Sequence, residues 1–130
     1  MRATLCLISG ILMAASIPVQ AARVDAEARL AKALDGRVAG KPVNCIPLHR
    51  IDSSQIFERT AILYRVGSTL YVNRPRSGAD FLDRNDVLLT DTHSSDLCSI
   101  DIVRLLDPSM FFPTGTLGLG EFVPYTKPKG

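Results

Sequence analysis

Histidine, cysteine and charge of one sign are all scarce in this 130-residue chain, and each shortage excludes a class of function. There are two histidines, His49 and His93, and three cysteines, Cys6, Cys45 and Cys98. A metal site takes three or four ligands at characteristic spacings. No H-E-x-x-H, EF-hand loop or C-x-x-C is present, so neither a metal nor a cofactor is expected. No G-x-S-x-G elbow marks a serine nucleophile. Lys and Arg number 15 against 13 Asp and Glu, a net charge of +2. A chain so nearly balanced has no overall field to steer it toward nucleic acid, and no nucleic-acid partner is expected.

The chain also lacks a hydrophobic run of the roughly 20 residues that a membrane span requires. Its one apolar stretch follows Arg2 and ends at Ile17. Pro18 breaks it, and Val19-Gln20-Ala21 then sets small residues at the −3 and −1 positions of a signal-peptidase site. The pattern predicts a secretory leader over residues 1–21, cleaved after Ala21, rather than an uncleaved anchor. Cys6 lies before the apolar run, where no lipid-attachment cysteine sits. Removing 21 residues leaves 109, enough for one small domain, with 14 basic and 13 acidic side chains. The expected location is periplasmic or secreted.

Cleavage removes Cys6 and leaves Cys45 and Cys98, an even pair in an oxidising compartment. A bridge between them closes a loop of more than fifty residues, which chain-entropy reasoning values at about 4 kcal/mol. Reactive thiols are the alternative, without a redox motif to support them.

Apolar residues at helical spacing, Ala26, Leu30, Ala33 and Leu34, predict one helix over 24–34, with Asp25 and Arg29 paired four apart. Residues 22–40 are thus a helix and its linker. Beyond lies a β domain over 41–126, and residues 127–130 form a tail expected to fray. Short β segments are predicted at 45–48, 53–57, 61–66, 69–73, 86–92, 97–106 and 121–125. Gly67-Ser68 is a two-residue type II′ hairpin signal that sets Tyr64 opposite Tyr71 and Leu63 opposite Val72. One face of that hairpin carries Ile62, Tyr64, Val66 and Tyr71, the other Leu63, Leu70 and Val72, so both faces should be covered. The glycine-rich stretch 113–120 lacks the following helix of a phosphate loop and is expected to form a turn or bulge. The fold class expected is mainly β, a small antiparallel sandwich or barrel of about six strands with one N-terminal helix.

Four strings carry a wider likeness: Gly40-Lys41-Pro42-Val43-Asn44-Cys45-Ile46-Pro47-Leu48, Tyr71-Val72-Asn73-Arg74-Pro75-Arg76-Ser77-Gly78-Ala79-Asp80, Leu97-Cys98-Ser99-Ile100-Asp101 and Gly118-Leu119-Gly120-Glu121-Phe122-Val123-Pro124-Tyr125. As a set they resemble a family of small exported Gram-negative bacterial proteins built on a domain of unknown function. The resemblance implies a shared fold and an envelope location, and no particular chemistry. Some members carry further cysteines near the positions of Ala79 and Leu117, so no second bridge carries over to this chain.

Two functional hypotheses follow. The first is a non-enzymatic periplasmic binding or interaction module with an envelope partner, protein or anionic ligand. Arg74-Pro75-Arg76 is its candidate anion-binding loop, two guanidinium forks on a stiff proline; pairing of these arginines with Asp80, Asp83 or Asp86 is the structural alternative. The second is a small periplasmic hydrolase using His93 or His49. Asp91 and His93 would share a strand face, and Ser53, Ser54, Ser94 and Ser95 lie close in sequence to one histidine or the other. A concave pocket pairing a histidine with a serine would favour the enzyme. An exposed strand edge would favour the binder.

Overall fold

The computed structural model describes residues 10–11 and 18–129; most of the expected leader, 1–21, lies outside them. The helix α1 (Pro18–Ala33) starts earlier than the apolar spacing predicts. Proline is tolerated at a first helical position, where its missing N–H costs nothing. Ala26 and Leu30 are buried, Leu34 packs at the margin, and Ala33 faces solvent, so the buried stripe is narrower than expected. The Asp25–Arg29 pair forms at 3.1 Å.

Ten strands follow among the described residues, in three antiparallel sheets. The largest contains β1 (Val38–Ala39), β3 (Ser53–Phe57), β4 (Ala61–Val66), β5 (Thr69–Asn73) and β10 (Phe122–Thr126). Its order is β1-β10-β5-β4-β3. A second contains β6 (Val87–Thr90), β8 (Ile102–Leu106) and β9 (Pro113–Gly118), in the order β6-β8-β9. The third pairs β2 (Cys45–Pro47) with β7 (Asp96–Cys98).

The β4–β5 hairpin has the expected register: Tyr64 opposes Tyr71 and Leu63 opposes Val72. Gly67 adopts φ +59° while Ser68 stays at negative φ, the combination of a type II′ turn. Both faces of this hairpin are covered. Ile62, Tyr64 and Phe122 join Ile46, Ile56, Leu97, Val103, Leu105, Leu117 and Leu119 in a core between the large sheet and the two smaller ones. Leu63, Leu70 and Val72 join Phe57, Ala61, Ala26 and Leu30 in a second core under the helix. The large sheet is thus the middle of three layers, which is why its central strands are apolar on both sides.

Three expectations need correction. The segment 97–106 is not one strand: Asp101 Oδ2 accepts the Cys98 amide at 2.7 Å, and a turn over Ser99–Asp101 separates β7 from β8. The stretch 113–120 is largely strand and not a turn, and the expected bulge lies within it, where the register with β8 shifts between Gly115 and Pro113; Gly115 and Gly118 are set where Phe81 and Ser77 cross it. The segment 86–92 shortens to the four residues of β6.

Cys45 and Cys98 lie directly opposite each other in the β2–β7 pair and form a disulfide. Ile46 and Leu97, their neighbours, are fully buried. The bridge therefore pins a two-stranded ribbon, too small to be stable alone, over the main core.

Candidate functional site

The residues singled out by sequence fall in separate places. His49 sits in a 3-10 turn over Leu48–Arg50 and is exposed. His93 is exposed in the turn after β6, and Asp91 leans 3.8 Å from Arg104 instead of toward it. Ser94 hydrogen-bonds within its own turn, to Asp96. Neither histidine has a hydrogen-bonded serine or carboxylate among the described residues, and no acid–base relay is assembled. Also among the described residues, no cluster of three or more His, Cys, Asp or Glu could hold a metal ion, and no helix is long and apolar enough to cross a membrane.

The two arginines of the 74–76 loop each have a protein partner. Arg74 makes a two-pronged contact with Glu27 of α1, at 2.6 and 3.2 Å. That hydrogen bond raises the Arg74 pKa above its already high ordinary value, with partial burial opposing. Arg76 donates to the Leu119 carbonyl at 2.9 Å and to the Ser99 carbonyl. The partners are not the aspartates that lie nearby in sequence. Arg74 ties the helix to β5, and Arg76 ties the loop after β5 to the turn between β9 and β10. Asn73, fully buried, completes that junction: its Nδ2 donates to Gly120 O at 2.8 Å and its Oδ1 accepts from Gly120 N at 3.0 Å.

Three surface features remain. The first is the open side of the sandwich, where the edge strand of the large sheet, β3, faces the edge strand of the small one, β6. A groove of about 350 Å³ lies there, lined by Ser54, Gln55, Ile56, Asp86, Val87 and Leu88, with Arg84 at its rim. The β3 ladder with β4 runs five pairs without a bulge. Natural edges are usually blunted by lysine, proline or a bulge; Ser53-Ser54-Gln55-Ile56-Phe57 has none of these. Beyond that ladder, among the described residues, β3 makes one main-chain bond, Thr60 N to Phe57 O. Among the described residues its outer edge is therefore unpaired. The sequence placed this strand correctly, but it held no sign that β3 is an edge, because strand order depends on where the C-terminal strand inserts.

The second feature is the β8–β9 tip. Met110, Phe111 and Phe112 are 82%, 68% and 69% exposed. Asp107 organises the tip by accepting the amides of Ser109 and Met110 at 2.8 and 3.1 Å. Phe111 sits at φ +53°, a left-handed conformation uncommon for an aromatic residue.

The third is a basic cleft at the β4–β5 turn end of the large sheet, where β10 also ends, lined by Arg37, Arg65, Ser68, Thr126, Lys127 and Lys129. Its cations come from four points spread over more than ninety residues, so no charge run announced it. Residues 127–129, expected to fray, form one of its walls.

Comparison of the chain with protein-family models, with curated proteins and with solved structures finds no match.

Proposed function

We propose that the chain is a non-catalytic binding module of the periplasm, and that it recognises an extended segment of another polypeptide at the edge of β3. The unpaired β3 edge carries this reading. A row of main-chain donors and acceptors is satisfied in full only by another strand, which makes an extended peptide the fitting occupant. The groove beside it has an apolar floor, Ile56 and Leu88. A strand added to β3 directs alternate side chains onto that floor, and about 350 Å³ admits small apolar ones. Exposed histidines without partners give no support to the hydrolase alternative. The disulfide and the leader-like N-terminus support an oxidising, extracytoplasmic location.

Peptide display against the oxidised protein tests the proposal. Selected peptides should alternate small apolar with polar residues, and their binding should slow hydrogen exchange at the amides of Ser53–Phe57. Ser54→Lys places a charge at the groove and should abolish selection without unfolding the domain. Selection that is indifferent to Ser54→Lys, or exchange protection elsewhere, overturns it.

A further inference from the structure

We infer that the basic cleft at the β4–β5 turn end of the large sheet is a second, independent binding site, for a ligand carrying two phosphoryl groups. Five of the ten arginines among the described residues, Arg23, Arg29, Arg74, Arg84 and Arg104, are paired with a carboxylate. The cleft gathers four cations that are not. Arg37, Arg65, Lys127 and Lys129 line it together, no carboxylate is among the lining residues, and none of the four forms an ion pair among the described residues. Converging like charges oppose one another, so their assembly without a counter-charge among the described residues is the arrangement of a site that receives its anion from outside.

Arg37 shows the preorganisation such a site needs. Its Nη1 donates to the carbonyls of Ser68, at 2.7 Å, and Tyr125, at 3.2 Å. Those neutral acceptors fix the guanidinium plane across the β4–β5 turn and the end of β10 without neutralising it. Its remaining N–H groups keep the planar fork that matches phosphate oxygens. The β4–β5 turn is itself held by Asp52, whose Oδ2 accepts the Gly67 amide at 3.0 Å. Ser68 and Thr126 add hydroxyl donors beside the cations.

Size and charge select the ligand class. A volume of about 620 Å³ is larger than a single phosphate ion fills and lies within the range of small-molecule sites. Four cations match the three to four negative charges of two phosphoryl groups, which a lone carboxylate does not. The same chemistry occurs on soluble diphosphates and, as paired headgroups, at a phosphate-bearing membrane surface.

Calorimetric titration of the oxidised protein with sodium pyrophosphate, and co-sedimentation with phosphatidylcholine vesicles with or without phosphatidic acid, test the site and separate the two sources. The comparison variants are Arg65→Glu with Lys127→Glu, both at exposed positions, and Arg74→Ala, whose side chain is held by Glu27. Pyrophosphate should bind more tightly than inorganic phosphate. The double variant should weaken it at least tenfold per reversed charge, about 1.4 kcal/mol each, and Arg74→Ala should leave it unchanged. Sedimentation with phosphatidic acid vesicles alone, lost in the double variant, supports the site with a lipid phosphate as its ligand. Binding of neither probe, or equal weakening by Arg74→Ala and the double variant, overturns the inference. Neither outcome touches the β3 edge.

Discussion

Asn73 is the side chain whose removal should cost the domain most for its size. It is fully buried, and its amide forms a reciprocal pair with both main-chain groups of Gly120. Gly120 is buried as well, and a Cβ there would collide with the Arg74 carbonyl, so that strand and turn approach too closely for any other residue. Truncation in Asn73→Ala strands one donor and one acceptor away from water. Each orphaned group costs about 1–3 kcal/mol, and the vacated space adds to it, so a loss of about 3–5 kcal/mol is expected. That is a large part of the stability of a small domain. Asn73→Leu keeps the volume and should cost nearly as much, because the orphaned groups, not the cavity, dominate. Asn73→Asp adds a pH signature. Beside the Gly120 carbonyl and away from water, the introduced carboxyl has a folded pKa raised above its unfolded value of about 3.9. The protonated form donates to Gly120 O, so stability is retained below the unfolded pKa and lost as pH rises through the folded one. Urea unfolding of the oxidised variants, at neutral pH and near pH 3.5, gives both measurements. Near-wild-type stability of Asn73→Leu, or an Asn73→Asp loss that is the same at both pH values, would refute the reasoning.

Replacing both Cys45 and Cys98 by alanine should lower unfolding stability by about 4 kcal/mol, the closure entropy of a loop of 53 residues, read by denaturant midpoint; an unchanged midpoint removes the bridge from the account. The Tyr64 hydroxyl is buried with no hydrogen-bond partner among the described residues, and desolvation pushes its pKa above the ordinary phenol value. Tyr64→Phe should therefore be neutral or stabilising at neutral pH. Above about pH 10 the unfolded phenol ionises before the folded one, so wild-type stability falls with rising pH while Tyr64→Phe lacks that contribution; parallel alkaline curves would contradict this. Phe111→Gly should gain about 1 kcal/mol by relieving a left-handed aromatic residue that buries little; a loss of stability would show that the exposed ring has a packing role.

Much of the fold is legible in the chain because the local signals agree with one another. Gly67-Ser68 specifies the turn, and the double apolar pattern around it specifies burial on both faces of β4 and β5. The disulfide pairing follows once Cys6 is set aside. Legibility fails where tertiary contacts decide. Gly115 and Gly118 look like loop formers, yet they serve as strand positions because Phe81 and Ser77 occupy the space of their missing side chains. Asp101 looks like one polar residue in an apolar run, yet its carboxylate captures the Cys98 amide and breaks the strand. The arginines of the 74–76 loop find Glu27, 47 residues earlier, and carbonyls well beyond the neighbouring aspartates. Neither the β3 edge nor the basic cleft can be read before strand order is known: the first depends on which strand is outermost, the second on β10 ending beside the β4–β5 turn.

The placement of β10 has a kinetic consequence. This strand is the last in sequence, yet it lies between β1 and β5, hydrogen-bonded to both. Until it arrives, β5 presents a bare apolar edge, and β1, two residues long, has nothing to pair with. A chain made N-terminus first can close its β3–β4–β5 meander early, but it can complete the large sheet only after residue 126 has emerged. Formation is governed by the longest sequence separation in the sheet, between β1 and β10, and such non-local pairings are the slow ones. The half-built protein thus carries its greatest risk of mispairing before residue 126 is available, at an edge that the finished protein hides completely.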